Sequence, residues 1–299
     1  MATLKGRLTA ERYVTIVRTA LVALYVIVVT GALVRLTGSG LGCSDWPRCS
    51  ESRFIDVSTG HGAIEQINRL FTGLVAASVA LAVLGSLLLG VRRRVLTTLS
   101  LGLVGGVVAQ IIIGAIVVLT GLNPWANMAH FLVSMLLLAN GLVLLRLAED
   151  HVTTAEAIEP ADSSFASFPW IIGLLGLCAV VTGTVVTASG PHAGDEHAVR
   201  FGFAISSVAR VHSISVIVTV AAIAYFLYRL RRSETRSEIE GKAATLLGLA
   251  LMQAFIGYVQ YFADVPALLV AFHVGLAAGV WLALVDLVFS FSRVRSRAV

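Results

Sequence analysis

The stretch YVTIVRTALVALYVIVVTGALVRL, residues 13 to 36, carries only two charged residues, both arginines, in a run that is otherwise mostly apolar. About 20 apolar residues in a helix cross the hydrocarbon core of a bilayer, so this run predicts a membrane-spanning helix. Runs of the same kind recur along the chain and account for most of it. The eight predicted spans are residues 13–36, 64–90, 96–120, 128–147, 169–189, 206–229, 243–262 and 267–290.

The composition agrees with a protein whose solvent is lipid. Of 299 residues, 57% are hydrophobic and 13% are charged, which is far too apolar for an ordinary soluble domain. The net charge of +5 does not indicate nucleic-acid binding, because the basic residues lie in short connections beside the spans, where they set orientation. We therefore expect an all-α integral membrane protein embedded in the lipid bilayer.

Basic residues gather on one side of the predicted spans. They are Lys5, Arg7, Arg12, Arg18, Arg92 to Arg94, Arg229, Arg231, Arg232, Arg236, Lys242, Arg293, Arg295 and Arg297. The positive-inside rule then predicts a multi-pass protein of the cell membrane with both termini in the cytoplasm. The acidic, serine-containing and proline-containing segment 148–168 reads as a flexible cytoplasmic linker.

Polar landmarks inside the spans repeat in the second half of the chain. QIIIG at 110–114 matches QAFIG at 253–257, and His130 matches His273 at the same offset. The VTG at 29–31 likewise matches the VTG at 181–183, and Asn68 corresponds to His212.

A repeat of four spans returns the chain to its starting side, so both copies have the same orientation. We therefore predict two parallel, pseudo-twofold-related four-helix bundles. Residues 1–147 form the first bundle, 148–168 the linker and 169–299 the second bundle.

Two histidines lie at matched depth in the second half, His212 in the sixth span and His273 in the eighth. Ionisable groups inside a span are costly and usually functional, and two facing imidazoles suit a six-coordinate haem iron used for electron transfer. The alternative for either residue is a hydrogen-bonded core histidine.

The first half keeps His130 but places Asn68 where the second half has His212. His61, Glu65 and Asn68 share one face of the second span. Glu65 is costly to ionise near the outer end of a span and suits proton transfer. The alternative is that Glu65 only pairs with Arg69 or caps the helix start.

Arginines and cysteines complete the candidate sites. Arg35, Arg69 and Arg210 lie near outer helix ends and suit haem propionates, with interfacial snorkelling as the alternative. Cys43 and Cys49 share an outer loop, where a disulfide is favoured over free thiols or a redox couple. Cys178 is expected to be a core residue.

The outer loop VRLTGSGLGCSDWPRC (34–49), the EQINR of the second span (65–69) and the histidines of spans four, six and eight together resemble the haem A synthase family. The resemblance covers nearly the whole chain, and the first loop with Glu65 and Arg69 is its most specific part.

The resemblance implies an oxidoreductase that converts a methyl group of haem O to a formyl group by successive hydroxylation, which gives haem A for terminal oxidases. It implies that His212 and His273 hold haem b, that the first half binds the substrate haem, and that Glu65 is catalytic. It also implies a Cys43–Cys49 disulfide. Haem O synthase is the expected donor of the substrate, the electron acceptor is not identified, and the sequence is compatible with a homo-oligomer.

Asn68 departs from the family pattern, which has a histidine there. Either His130 binds the substrate iron with water or Asn68 opposite, or His61 substitutes as the second ligand. A cytochrome b-like electron carrier is the competing interpretation. A carrier would be expected to keep equivalent ligands in both halves, so Glu65 and Asn68 favour the enzyme.

Overall fold

The computed structural model describes residues 8–91, 93–152, 167–232 and 238–297. This part of the chain forms eight α-helices: α1 (Ala10–Leu36), α2 (Gly60–Leu88), α3 (Arg94–Leu119), α4 (Pro124–Val152), α5 (Phe168–Ser189), α6 (Ile205–Arg232), α7 (Glu238–Phe262) and α8 (Ala267–Arg297). All eight are long and apolar enough to cross a membrane. The predicted all-α architecture with eight spans is therefore confirmed.

Several helices extend beyond the apolar runs that predicted them. The helix α4 covers 124–152 instead of 128–147, and α8 continues to Arg297 instead of ending at 290. Charged residues such as Arg and Glu are good helix formers, so hydropathy marks the part inside the bilayer and not the ends of the helix. Of the predicted linker 148–168, residues 153–166 lie outside the described residues.

The start of α2 is set by a threonine cap. The Thr59 hydroxyl accepts a hydrogen bond from the backbone N–H of Gly62 at 3.0 Å, which satisfies one of the free N–H groups of the first turn. The helix therefore begins four residues before the predicted position, at Gly60. This places His61 in the first turn of α2 and Glu65 in the second.

The helices group into two compact units. One unit contains α1 to α4 together with residues Gly194–Val199, and the other contains α5 to α8. In the first unit α1 and α3 each pack against both α2 and α4, so α2 and α4 occupy opposite corners of a closed four-helix bundle. In the second unit α5 and α7 each pack against α6 and α8 in the same way. The pseudo-twofold relation between the two bundles stays a prediction.

The outer surface of each bundle is apolar, as a lipid-facing surface must be. On α2 the exposed face includes Leu70, Leu74, Leu81 and Leu84, whereas Val75, Val79 and Ala82 are buried against neighbouring helices. Inside the bilayer each helix makes its own backbone hydrogen bonds. Leucine can therefore face either lipid or a neighbouring helix, and only the packing of the helices shows which leucines are buried. Cys178 is exposed on α5, so the expectation of a core cysteine is wrong.

Ion pairs join helices at the ends that carry the basic residues. Arg18 of α1 lies 2.9 Å from Glu149 of α4, and Lys242 of α7 lies 2.9 Å from Asp286 of α8. Lys5, Arg7, Arg92 and Arg236 lie outside the described residues. The orientation of the termini stays a prediction.

Candidate functional site

Two imidazoles face each other in the second bundle. His212 of α6 and His273 of α8 are half-buried, with ring centroids 6.5 Å apart. Metal–imidazole bonds of about 2 Å would place the centres of two axial rings on one iron roughly 6 Å apart. The structure thus brings together the two residues that the sequence paired, at a separation that suits a shared iron.

A threonine of α5 fixes the ring of His212. Thr182 Oγ1 lies 3.1 Å from His212 Nδ1, and the same hydroxyl donates to the carbonyl of Cys178 at 2.9 Å. When the hydroxyl gives its one proton to this carbonyl, it accepts from Nδ1–H, which leaves Nε2 with its lone pair free as a ligand. A Cβ on Gly183 would lie 3.1 Å from His212 Cε1, so this glycine makes room for the ring.

His273 is held by two residues of α7. The Gln253 amide donates to the backbone carbonyl of His273 at 3.0 Å. A Cβ on Gly257 would lie 3.0 Å from the Cε1 atom of the ring. The QAFIG motif therefore clamps α8 at the histidine and clears space beside the ring.

The first bundle repeats this clamp. The Gln110 amide donates to the carbonyl of His130 at 2.9 Å, and a Cβ on Gly114 would lie 3.3 Å from His130 Cε1. The glutamine also donates to Ser134 Oγ at 2.7 Å. The two motifs that served only as landmarks in the sequence are thus the residues that position His130 and His273.

Asn68, which the predicted repeat aligns with His212, also contacts a threonine of a VTG tripeptide. The Thr30 hydroxyl donates to Asn68 Oδ1 at 2.9 Å, as Thr182 contacts His212. Sequence reasoning missed both threonines as site residues. The repeated VTG tripeptide was the signal that could have found them.

Glu65 is buried and bound on both carboxylate oxygens. Oε1 pairs with Arg69, whose Nε donates at 3.0 Å, and Oε2 accepts the backbone N–H of Cys43 at 2.8 Å. Arg69 also donates to the carbonyls of Asp45 and Arg48, each at 3.1 Å. The ion pair with Arg69, which was the alternative role expected for Glu65, is therefore present. Together the two residues hold the outer loop against α2, and we call Glu65, Arg69 and their bonds to the loop the clasp.

The outer loop is closed by a disulfide between Cys43 and Cys49, as the sequence favoured. His61 is exposed and lies outside the clasp, with Nδ1 2.9 Å from the hydroxyl of Ser39. Arg35 is half-buried, and among the described residues its guanidinium has no hydrogen-bond partner. Arg210 is exposed.

The described residues contain no group of three or more His, Cys, Asp or Glu side chains that could hold a metal ion. A porphyrin supplies four donors of its own and needs one or two protein ligands. Among the described residues, the Nδ1 atoms of His130 and His273 are buried with no hydrogen-bond partner, and unpaired buried polar atoms are uncommon in native proteins. These orphaned nitrogens and the glycines beside the rings fit haem better than a bare ion.

Comparison with known proteins agrees with this chemistry. A family model described as cytochrome oxidase assembly protein matches residues 14–59 and 55–285. A haem A synthase of Geobacillus thermodenitrificans is 35% identical over 109 residues, which cover 36% of this chain and 33% of that protein.

Two further relatives match longer stretches. A haem A synthase of Lysinibacillus sphaericus is 37% identical over 127 residues, covering 42% of this chain and 41% of the relative. One of Listeria welshimeri is 32% identical over 130 residues, covering 42% of each. The matched stretch is thus less than half the length of each of these relatives.

Proposed function

This chain belongs to the haem A synthase family of cytochrome oxidase assembly proteins, and we propose that it oxidises the methyl group of haem O to a formyl group. The steps are successive hydroxylations and loss of water, and the product is haem A for terminal oxidases. The observation that carries the proposal is the asymmetry of two otherwise similar bundles. The second has two facing imidazoles, whereas the first has His130, Asn68 and a buried acid.

The second bundle is the proposed haem b site. His212 and His273 would be the axial ligands, and bound haem b would supply electron transfer. Thr182 contacts Nδ1 of His212, and Gln253 donates to the backbone carbonyl of His273. A metal-bound histidine is normally oriented by a hydrogen bond from its other ring nitrogen, so Thr182 supports the assignment. Arg210 is the proposed propionate contact at this site.

The first bundle is the proposed substrate site. His130 would hold the iron of haem O, and the clamp of Gln110 and Gly114 supports this role because it matches the clamp of His273. Arg35 and Arg69 are the proposed partners of the propionates. The half-buried guanidinium of Arg35, with no partner among the described residues, supports an anionic ligand, since a buried charge is costly unless it is paired.

Glu65 is the proposed catalytic residue. We infer that its carboxylate takes a proton, or stabilises positive charge, as the substrate methyl group is oxidised. The contacts with Arg69 and the Cys43 N–H hold this carboxylate in one position at the outer end of α2. A fixed charge aimed at a reacting group costs no reorganisation during the reaction.

Replacing Glu65 separates the catalytic role from the structural role. E65Q should abolish haem A formation and leave the absorbance of bound haem b unchanged. R69Q removes the same ion pair but keeps the carboxylate. Because Arg69 is also a proposed propionate contact, product is measured per bound substrate haem, and by that measure R69Q should retain part of the activity. Equal loss of product per bound substrate haem in both variants would assign Glu65 to holding the loop and would contradict the catalytic role.

The topology forms part of the proposal. The protein would be a multi-pass protein of the cell membrane, with both termini in the cytoplasm and the haem sites toward the outer face. Haem O would come from haem O synthase in the same bilayer, and an electron acceptor of unassigned identity would complete the oxidation.

The decisive experiment is extraction of haems from cells that make haem O, lack any other haem A synthase and express this chain. Chromatography should show haem A and the hydroxylated haem that precedes it. Haem O as the final product, in cells whose membranes contain the protein with bound haem b, would favour the electron-carrier alternative.

A further inference from the structure

The pair Thr30 and Asn68 in the first bundle corresponds to Thr182 and His212 in the second. Thr30 Oγ1 lies 2.9 Å from Asn68 Oδ1 and 3.3 Å from the carbonyl of Ile27. A hydroxyl has one proton to donate, and the shorter contact is with Asn68. The threonine hydroxyl therefore donates to the amide oxygen of Asn68, which orients the side-chain amide.

An asparagine held in this way can donate hydrogen bonds toward a ligand. Oδ1 accepts from Thr30, and the NH₂ group supplies two donors. The described residues offer this NH₂ group no hydrogen-bond partner. The residue that replaces an axial histidine thus offers N–H groups where the second bundle offers a lone pair.

The glycines show the same difference between the bundles. In the second bundle the ring of His212 fills the space beside Gly183, where a Cβ would meet Cε1 at 3.1 Å. In the first bundle a Cβ on the equivalent Gly31 would have nothing within 4 Å. The volume that an imidazole occupies in one bundle is therefore open in the other.

His61, the other residue that could supply a second ligand, is engaged elsewhere. Its Nδ1 lies 2.9 Å from Ser39 Oγ, and Ser39 is a fully buried residue of the outer loop. The ring itself is exposed, two turns nearer the outer end of α2 than Asn68. A move of His61 toward the iron would break the contact with Ser39.

We propose that the first bundle binds the iron of its haem through His130 alone, and that the opposite position is open to a small ligand that accepts a hydrogen bond from Asn68. Thr30 is the positioning residue that turns the amide donor toward this position. The inference rests on the proposed function, since it concerns the substrate site. It gives Asn68, which stands where the family pattern has a histidine, a role in binding the small ligand.

Carbon monoxide tests the inference, because it binds ferrous haem only where a coordination position is free. Purified wild-type protein loaded with haem O should bind one CO for each pair of haems. N68H should bind none, because the added imidazole fits the open space beside Gly31 and completes the coordination. H61A should bind CO like the wild type.

The infrared stretch of bound CO tests the hydrogen bond, since a nearby N–H donor lowers its frequency. N68L and T30V should both raise the frequency relative to the wild type. An unchanged haem b spectrum from the second bundle verifies in each variant that the protein is folded.

Failure of CO to bind wild-type protein that contains haem O would overturn the inference, as would a stretch unaffected by N68L. These results are independent of product formation. If the protein makes haem A but binds no CO, the proposed function holds and this inference is wrong. If it binds CO but makes no haem A, this inference holds and the proposed function is wrong.

Discussion

The hydroxyl of Thr182 should control how tightly the second bundle holds haem b. T182V removes the hydroxyl and keeps a β-branched side chain of nearly the same shape, so α5 is not otherwise disturbed. The substitution breaks the hydrogen bond between Oγ1 and His212 Nδ1, which measures 3.1 Å. Ser215, which also contacts this hydroxyl, still donates to the carbonyl of His212 at 2.7 Å and stays satisfied.

The size of the effect is set by the partner that remains. The carbonyl of Ala179 also accepts a hydrogen bond from the His212 ring, so T182V removes one of two partners. The net loss of one hydrogen bond costs about 0.5–1.5 kcal/mol, and about 1.4 kcal/mol corresponds to a tenfold change. We therefore expect haem b to dissociate from T182V up to about ten times more readily than from the wild type.

The assay is transfer of haem b from purified protein to an excess of apomyoglobin, followed by absorbance. T184V is the matched control, because Thr184 lies on the same helix and donates to its own backbone at Val181. It should lose haem b at the wild-type rate. Equal rates for T182V and wild type would refute the role of the threonine in holding the His212 ring.

Three further substitutions test the packing around the sites. G257A places a methyl group 3.0 Å from Cε1 of His273 and, at about 1–3 kcal/mol of overpacking, should weaken haem b binding; haem content equal to wild type would contradict this. Y13F removes the hydrogen bond of 3.1 Å between the buried Tyr13 and Ser100, and the thermal midpoint in detergent should fall by an amount equivalent to about 1 kcal/mol. A midpoint at or above that of the wild type would show that the bond does not stabilise the bundle. C49S opens the outer loop, whose cysteines are 6 residues apart, so limited proteolysis there should accelerate and the thermal midpoint should fall by an amount equivalent to about 2 kcal/mol. Loss of the whole fold in this variant would contradict that local role.

Hydropathy was sufficient for the fold because the bilayer imposes a simple rule. A span needs a long apolar run, and the eight runs of this chain coincide with the eight helices. The ends were less predictable: α2 begins at Gly60 because Thr59 caps it, and a cap is a single polar contact that hydropathy does not register. Cys178 was misplaced for a related reason, since a lipid-facing position and a core position are both apolar in sequence.

The sequence also brought together the main site residues in the second bundle. His212 and His273 were paired because both are ionisable groups at matched depth inside spans, and such groups are costly unless they have a role. Their partner Thr182 was not predicted, since threonines are common in spans and most bond to their own helix. Only its place in the repeated VTG distinguishes it.

The clasp around Glu65 lay beyond sequence reasoning for a different reason. Pairing with Arg69 follows from the helical spacing of four residues. The bonds from the Cys43 N–H and to the carbonyls of Asp45 and Arg48 depend on the path of a loop with no periodic pattern. The backbone of such a loop can be placed only by the three-dimensional structure.

In the proposed function each bundle encloses one haem, and only the first bundle alters its haem. Native mass spectrometry of the protein, purified from cells that make haem O, counts and identifies the bound porphyrins. We predict two haems per chain, one of them haem b that is lost in H212A, and the other haem O or its oxidised product that is lost in H130A. A chain that carries no porphyrin, or one whose single haem survives both substitutions, would show that the bundles do not hold haem in this way.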